Sequence, residues 1–273
     1  MNASDVGFAV VGLGMGRNRA REVVATPHAT LVAVCDLNQE RVDQVVAEHG
    51  CEGTTDYQSL LTRDDIDVIY VMVESGNHAK VAIDVAQAGK HVLSTKPIET
   101  TVAKAQTMID ACAKAGVLCA VDFELRYSPT VNRVKAAVDQ GLMGDIILAE
   151  ERLKWYRSDA YYDGWHGTWA LDGGGSIINQ TVHQVDLICW LMGAPETVRA
   201  RYGIFNHDIE TEDMTMAMLQ YPSGAQGLIV CTTTFTEDRI ADTEIHGTQG
   251  AAILKWKELD YLKVAGDGEF DVP

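Results

Sequence analysis

The segment from Gly173 to Asp186 combines an imidazole, a carboxylate and an amide at helical spacing. At 3.6 residues per turn, Asn179, His183, Asp186 and Trp190 fall on one stripe, with Ile178, Val182, Val185 and Cys189 on an apolar stripe beside it. The pattern predicts a helix over 177–192, entered through three glycines and ended by Gly193 and Pro195. An imidazole suits acid/base work near neutral pH. Taken alone, though, His183 reads as a satisfied structural histidine, and what changes that reading lies upstream.

Gly12, Gly14, Met15 and Gly16 follow an apolar run, Val6 to Val11, and open the next helical pattern. In a dinucleotide fold the pyrophosphate sits here, against helix N-terminal amides. Asp36 ends the second apolar run, twenty residues after Gly16, where a carboxylate accepts from both ribose hydroxyls and repels a 2′-phosphate. NAD is therefore favoured over NADP. The third glycine comes one position earlier than in GxGxxG, which leaves Arg17 at the usual place, where it also suits a phosphate. Lys96, followed by Pro97, ends a later strand pattern, on the side where open α/β sheets collect ligands.

The elements that would position these groups form two rhythms. Through about residue 122, strands near 6–11, 30–35, 67–73, 91–94 and 117–121 alternate with helices near 15–25, 38–49, 77–88 and 100–115. That is the pattern of a doubly wound parallel sheet, here a Rossmann-type domain over 1–122. Over 123–273 a helix near 129–140 leads into a strand near 145–156, an aromatic loop and the helix of 177–192. Strands near 196–206, 212–221, 226–234, 240–246 and 251–255 follow. This half reads as an α+β domain on a largely antiparallel open sheet, with a frayed strand and polar tail from Leu259 to Pro273.

Bulk properties narrow the function. A net charge of −17 disfavours nucleic acid and anionic membranes as partners. No apolar run approaches the length of a membrane span, and the N-terminus lacks a basic leader. The six cysteines show no CxxC spacing, which fits buried thiols in a reducing cytoplasm. The eight histidines show no HxH or HxxxH pair, so no metal is expected. Between Lys154 and Trp169 the chain is unusually aromatic, with Tyr156 and Trp165 among the rings. Such a loop suits the C–H faces of a sugar, and it equally suits an interface or a satellite core. Arg126, Lys154 and Arg157 suit either an acidic sugar or plain solvation.

Taken in order, these motifs resemble the oxidoreductases typified by glucose–fructose oxidoreductase and inositol 2-dehydrogenase. The carriers are Gly12 to Gly16, Asp36, Gly89 to Leu93 running into Lys96 and Pro97, Arg126 with Tyr127 and Pro129, and Gly173 to Asp186. The resemblance implies a Rossmann domain followed by a domain whose open sheet holds substrate on one face and often a partner subunit on the other. A homodimer or homotetramer through that sheet is therefore expected. It also implies NAD-linked oxidation of a sugar or cyclitol hydroxyl, with Lys96 and His183 catalytic. Two departures stand out. Thr95 replaces the usual glutamate before the Lys-Pro pair, and Asn179 replaces the aspartate one turn before the histidine. An amide takes no proton, so Asn179 is left to orient substrate or His183. Asp186 is expected to orient the imidazole or bind substrate, with a bare surface carboxylate as the alternative, and Asp172 is a further carboxylate candidate. The assignment of His183 as base and Lys96 as electrostatic partner stands beside its reverse. A non-catalytic NAD-binding sensor and an NAD-dependent glycosidase are the competing functions.

Overall fold

The computed structural model describes residues 5–237, 240–266 and 272, so most of the expected polar tail lies outside the described residues. The chain divides into two compact units between Asp122 and Phe123.

In the first unit, short β-branched runs form parallel strands and amphipathic stretches between them form crossover helices. In chain order these are β1 (Val6–Val11), α1 (Gly16–Ala25), β2 (Ala29–Cys35), α2 (Gln39–His49), β3 (Glu52–Thr54), β4 (Val68–Val71), α3 (His78–Gln87), β5 (His91–Ser94), α4 (Val102–Ala115) and β6 (Cys119–Val121). The sheet order is β3-β2-β1-β4-β5-β6, parallel throughout. Caps set the helix ends. The Asn38 side chain accepts from the Glu40 and Arg41 amides, Thr101 accepts from the Lys104 amide, and Gly50 and Gly116 take the left-handed C-cap. Apolar residues line both faces of the sheet: Val10, Val34, Val23 and Val45 on one, Val11, Ile69, Val85 and Met108 on the other. A parallel sheet buried on both sides is the doubly wound arrangement. The strand that sequence reading missed is β3, whose three residues carry too little apolar signal to register.

The second unit comprises α5 (Pro129–Asp139), β7 (Ile146–Lys154), α6 (Val182–Met192), β8 (Thr197–Gly203), β9 (Met214–Gln220), β10 (Gln226–Thr232), β11 (Ile240–Gly247), β12 (Ala251–Lys255) and β13 (Glu258–Lys263). Its order is β13-β12-β11-β7-β10-β9-β8, antiparallel except where β10 runs parallel to β7. One face packs on α5 and α6 through Val134, Leu187, Ile188, Leu191, Ile229 and Ile245. Met216 and Met218 on β9 alternate with the buried Ala217 and Leu219, so they lie on the opposite, open face.

The helix expected over 177–192 is two structures. Ser176–Gln180 form a single wide π turn, closed by the Thr181 amide donating to the Ser176 carbonyl (3.0 Å), and α6 begins only at Val182. The cause is Glu212, outside the segment. Its carboxylate accepts from the Gly175 amide (2.9 Å) and the Ile177 amide (2.9 Å), and its carbonyl accepts from the Ser176 amide (2.9 Å). Gly175 is needed there because a Cβ would run into the Glu212 carbonyl. The wide turn rotates Asn179 off the stripe of His183, Asp186 and Trp190.

Candidate active site

In the first unit the glycine loop and the start of α1 offer mostly backbone groups. Gly12 adopts φ +98°, donates its amide to the Cys35 carbonyl (2.7 Å), and leaves no room for a Cβ against the Met72–Val73 backbone. Gly16 packs against Val10 and Met72, whereas Gly14 faces open space. Met15 is 70% exposed and caps α1 without any side-chain acceptor. The first turn of α1 thus has no capping side chain, which fits a pyrophosphate at this end.

Asp36 lies at the carboxyl end of β2 and has a second task that spacing alone did not reveal. Its Oδ2 accepts from the Leu13 amide (2.6 Å) and its Oδ1 from the Asn38 amide (2.8 Å), so it braces the glycine loop. Lys96 is half-buried just past β5, with a cis peptide to Pro97. The Thr95 amide donates to the Val71 carbonyl (3.0 Å), which ties this turn to the end of β4.

In the second unit, by contrast, side chains hold side chains. His183 lies on α6, half-buried, its ring edge-on to Phe123 (6.2 Å) and Trp256 (5.7 Å). Asn179 is nearly buried. Its Nδ2 donates to Asp172 and lies 3.3 Å from His166 Nδ1, while its Oδ1 accepts from Gln180 Nε2 (2.8 Å) and the Tyr161 hydroxyl (3.4 Å). Asp172, 1% exposed, also accepts from the Gly167 amide (2.8 Å). Burial holds the Tyr161 phenol above its ordinary range, so it stays a hydrogen-bond donor.

The aromatic loop is anchored rather than free. Arg157 donates to Gln180 Oε1 (2.7 Å) and stacks over Trp155 and Tyr161, and Trp165 lies against His166 (3.8 Å). His207 bridges the Arg157 carbonyl (2.8 Å) and buried Asp213 (3.1 Å). Tyr156 is 46% exposed and bridges Thr234 through its backbone.

The remaining expected residues pair with each other. Arg126 grips Asp186 through two bonds, Nε at 2.7 Å and Nη2 at 2.6 Å, and covers Trp190. The structure therefore brings Asn179 together with Asp172, His166 and Tyr161, and Arg126 with Asp186. It seats His183 in a separate aromatic surround. Glu212 was missed by sequence reading, with only the acidic run Glu210, Glu212, Asp213 to hint at it, and His166 was read only as part of the aromatic loop. Among the described residues no cluster of three His, Cys, Asp or Glu side chains could hold a metal, and no helix is long and apolar enough to cross a membrane.

Residues 6–123 match the oxidoreductase family with an NAD-binding Rossmann fold, and residues 131–253 match the GFO/IDH/MocA C-terminal domain. Among solved structures, the chain is 32% identical to the WlbA dehydrogenase from Bordetella pertussis in complex with NADH and UDP-GlcNAcA. That match covers 97% of this chain and 79% of that one, with a TM-score of 0.92. Among curated proteins, it is 26% identical over 282 residues to scyllo-inositol 2-dehydrogenase (NAD(+)) of Bacillus subtilis, covering 97% of this chain and 78% of that protein. It is also 26% identical over 263 residues to levoglucosan dehydrogenase of Pseudarthrobacter phenanthrenivorans, covering 85% of this chain and 66% of that protein. Fold and matches together define an NAD-binding oxidoreductase. The chain belongs to the GFO/IDH/MocA family.

Proposed function

We propose that this protein transfers hydride between NAD and a secondary hydroxyl or keto carbon of a sugar, sugar derivative or cyclitol. The observation that carries the reading is the open α1 cradle braced by Asp36, in a chain that also supplies Lys96 at a strand end and His183 on α6. Gly12, Gly14, Met15, Gly16 and Asp36 would hold the cofactor, which when bound accepts or returns the hydride. His183 takes the hydroxyl proton as hydride leaves the same carbon, and returns it in the reductive direction. The Lys96 ammonium polarises the substrate oxygen and stabilises developing negative charge on it. Asn179 takes no proton. With its Nδ2 bonded to Asp172 and its Oδ1 to Gln180 and Tyr161, it serves instead to hold Tyr161 and His166 in place as the wall that faces substrate. Trp165 and Tyr156 offer apolar faces for sugar carbons. Arg126, committed to Asp186, secures α6 and leaves its exposed edge for an acidic substituent.

The molecules that the relatives bind or are named for set the panel: UDP-GlcNAcA, scyllo-inositol and levoglucosan. The test is NADH formation from NAD with each of them. Lys96→Ala and His183→Ala are each expected to lower kcat by roughly 10²- to 10⁴-fold on the substrate that turns over. Turnover retained within a few-fold in both variants would contradict the assignment. We further propose assembly as a homodimer or homotetramer through the open sheet face bearing Met216 and Met218. A cytoplasmic location is supported by six unpaired thiols.

A further inference from the structure

His78, the first residue of α3, is 0% exposed. Its Nδ1 lies 2.9 Å from the Pro97 carbonyl and its Nε2 lies 2.9 Å from the Val73 carbonyl. Val73 is two residues past the end of β4, and Pro97 directly follows Lys96 at the end of β5. The imidazole therefore spans two adjacent central strands on their carboxyl side, where an open α/β sheet binds its ligand. Both partners are acceptors, so each contact needs an N–H from the ring. A neutral imidazole supplies one at a time, an imidazolium both. Burial disfavours the charged form, so the neutral ring donates to one carbonyl at a time, and its replacement by an apolar side chain would remove the donor that the two carbonyls share.

A second tie joins the same two turns from outside. Lys104 Nζ donates to the Gly76 carbonyl (3.5 Å) and the Thr100 hydroxyl (3.3 Å), and lies 3.9 Å from the buried Glu99 carboxylate. Two independent side chains thus clamp the β4 turn to the lysine-bearing turn.

We propose that His78 is a positioning residue for Lys96: it pins the backbone directly after the lysine to the end of β4, and so fixes where the ammonium is presented. The inference rests on the catalytic reading of Lys96 given above. A displacement of about 1 Å in such a group costs up to roughly 100-fold in rate, which is the effect sought.

The experiment is a double-mutant cycle in the full chain, read by steady-state kinetics on the substrate found above and by hydrogen exchange across residues 94–99. His78→Leu, of similar bulk and without a donor, is expected to lower kcat roughly 10- to 100-fold while KM for NAD moves less than about threefold. The 94–99 segment should exchange faster. His78→Gln, whose amide offers two N–H groups, should regain part of both losses. In a Lys96→Ala background, His78→Leu should cost less than about twofold more, because the group it positions is gone.

Wild-type kcat and exchange in His78→Leu would overturn the proposal. So would an equal loss in the Lys96→Ala background, the mark of a general packing role. Should His78→Leu fail to accumulate as folded protein, His78→Asn takes its place, since its shorter amide reaches one carbonyl; unchanged exchange across 94–99 there overturns the proposal as well. Full turnover in Lys96→Ala alone would sink the catalytic reading of that lysine. The exchange result would still report on the clamp, so the two failures are distinguishable.

Discussion

The proposed cofactor side of the first unit is made of backbone, placed by glycines and strand ends, whereas the proposed substrate side of the second unit is made of side chains that hold one another. Gly12 turns the chain through a conformation that other residues resist, and Asp36 ties the turn down through a main-chain amide. Asn179 is held in orientation by Asp172 and Tyr161, from other stretches of the chain, and by its neighbour Gln180. A backbone site depends on a few irreplaceable small residues. A side-chain network spreads its dependence over many partners, each of modest worth.

The largest expected effect falls on the backbone side. Gly12→Val would force a branched side chain into the Met72–Val73 backbone at a positive φ. Thermal unfolding should show a loss of at least about 3 kcal/mol, with NADH binding abolished. A folded, NADH-binding Gly12→Val would remove the contrast altogether.

On the network side, Asp172→Ala strips the acceptor from the Asn179 amide and the Gly167 N–H, both held in a nearly dry environment. A loss of about 1–3 kcal/mol in unfolding free energy is expected, with NADH affinity unchanged. If NADH affinity fell too, the two regions would not be separable. Asp36→Ala sharpens the comparison from the other direction: fluorescence titration should show NADH binding weaker by roughly tenfold, about 1.4 kcal/mol, with the second unit's stability untouched.

The smallest effect concerns Glu151, fully buried on β7. Burial pushes its carboxyl well above the ordinary range, against the hydrogen bond from Thr243. The folded chain keeps this proton at pH values where the unfolded chain has released it. Its contribution to stability is therefore complete in acid and falls as pH rises through the unfolded value toward the folded one. Glu151→Gln should raise Tm at neutral pH, by roughly 2–4 °C for each kcal/mol recovered, and leave it unchanged near pH ~4. An equal Tm gain at both pH values would show that the carboxyl titrates alike in the folded and unfolded chain, and would contradict the upward shift.

The same contrast explains what sequence reading could reach. The first unit's strands other than β3, its helices and its glycine loop were legible because hydrophobic period, caps and glycines mark them locally, whereas the tie of Asp36 to the Leu13 amide, twenty-three positions away, was not. The parallel sheet and the open antiparallel sheet followed from hydrophobic period and turn residues. The π turn at 176–180 was not legible, since helical spacing from Asn179 to Trp190 is regular and the residue that breaks it, Glu212, lies more than thirty positions away. The Arg126–Asp186 pair, sixty positions apart, and the bridge of His78 to Val73 and Pro97 were hidden for the same reason. Partners brought together by topology leave no local trace.

The division of labour between the units is tested most directly by one variant, His183→Ala, carried through an NADH titration and a turnover assay on the same preparation. NADH affinity is expected within about threefold of wild type, with kcat lowered by at least roughly 100-fold. Turnover near the wild-type rate, or loss of NADH binding in step with turnover, would contradict that division.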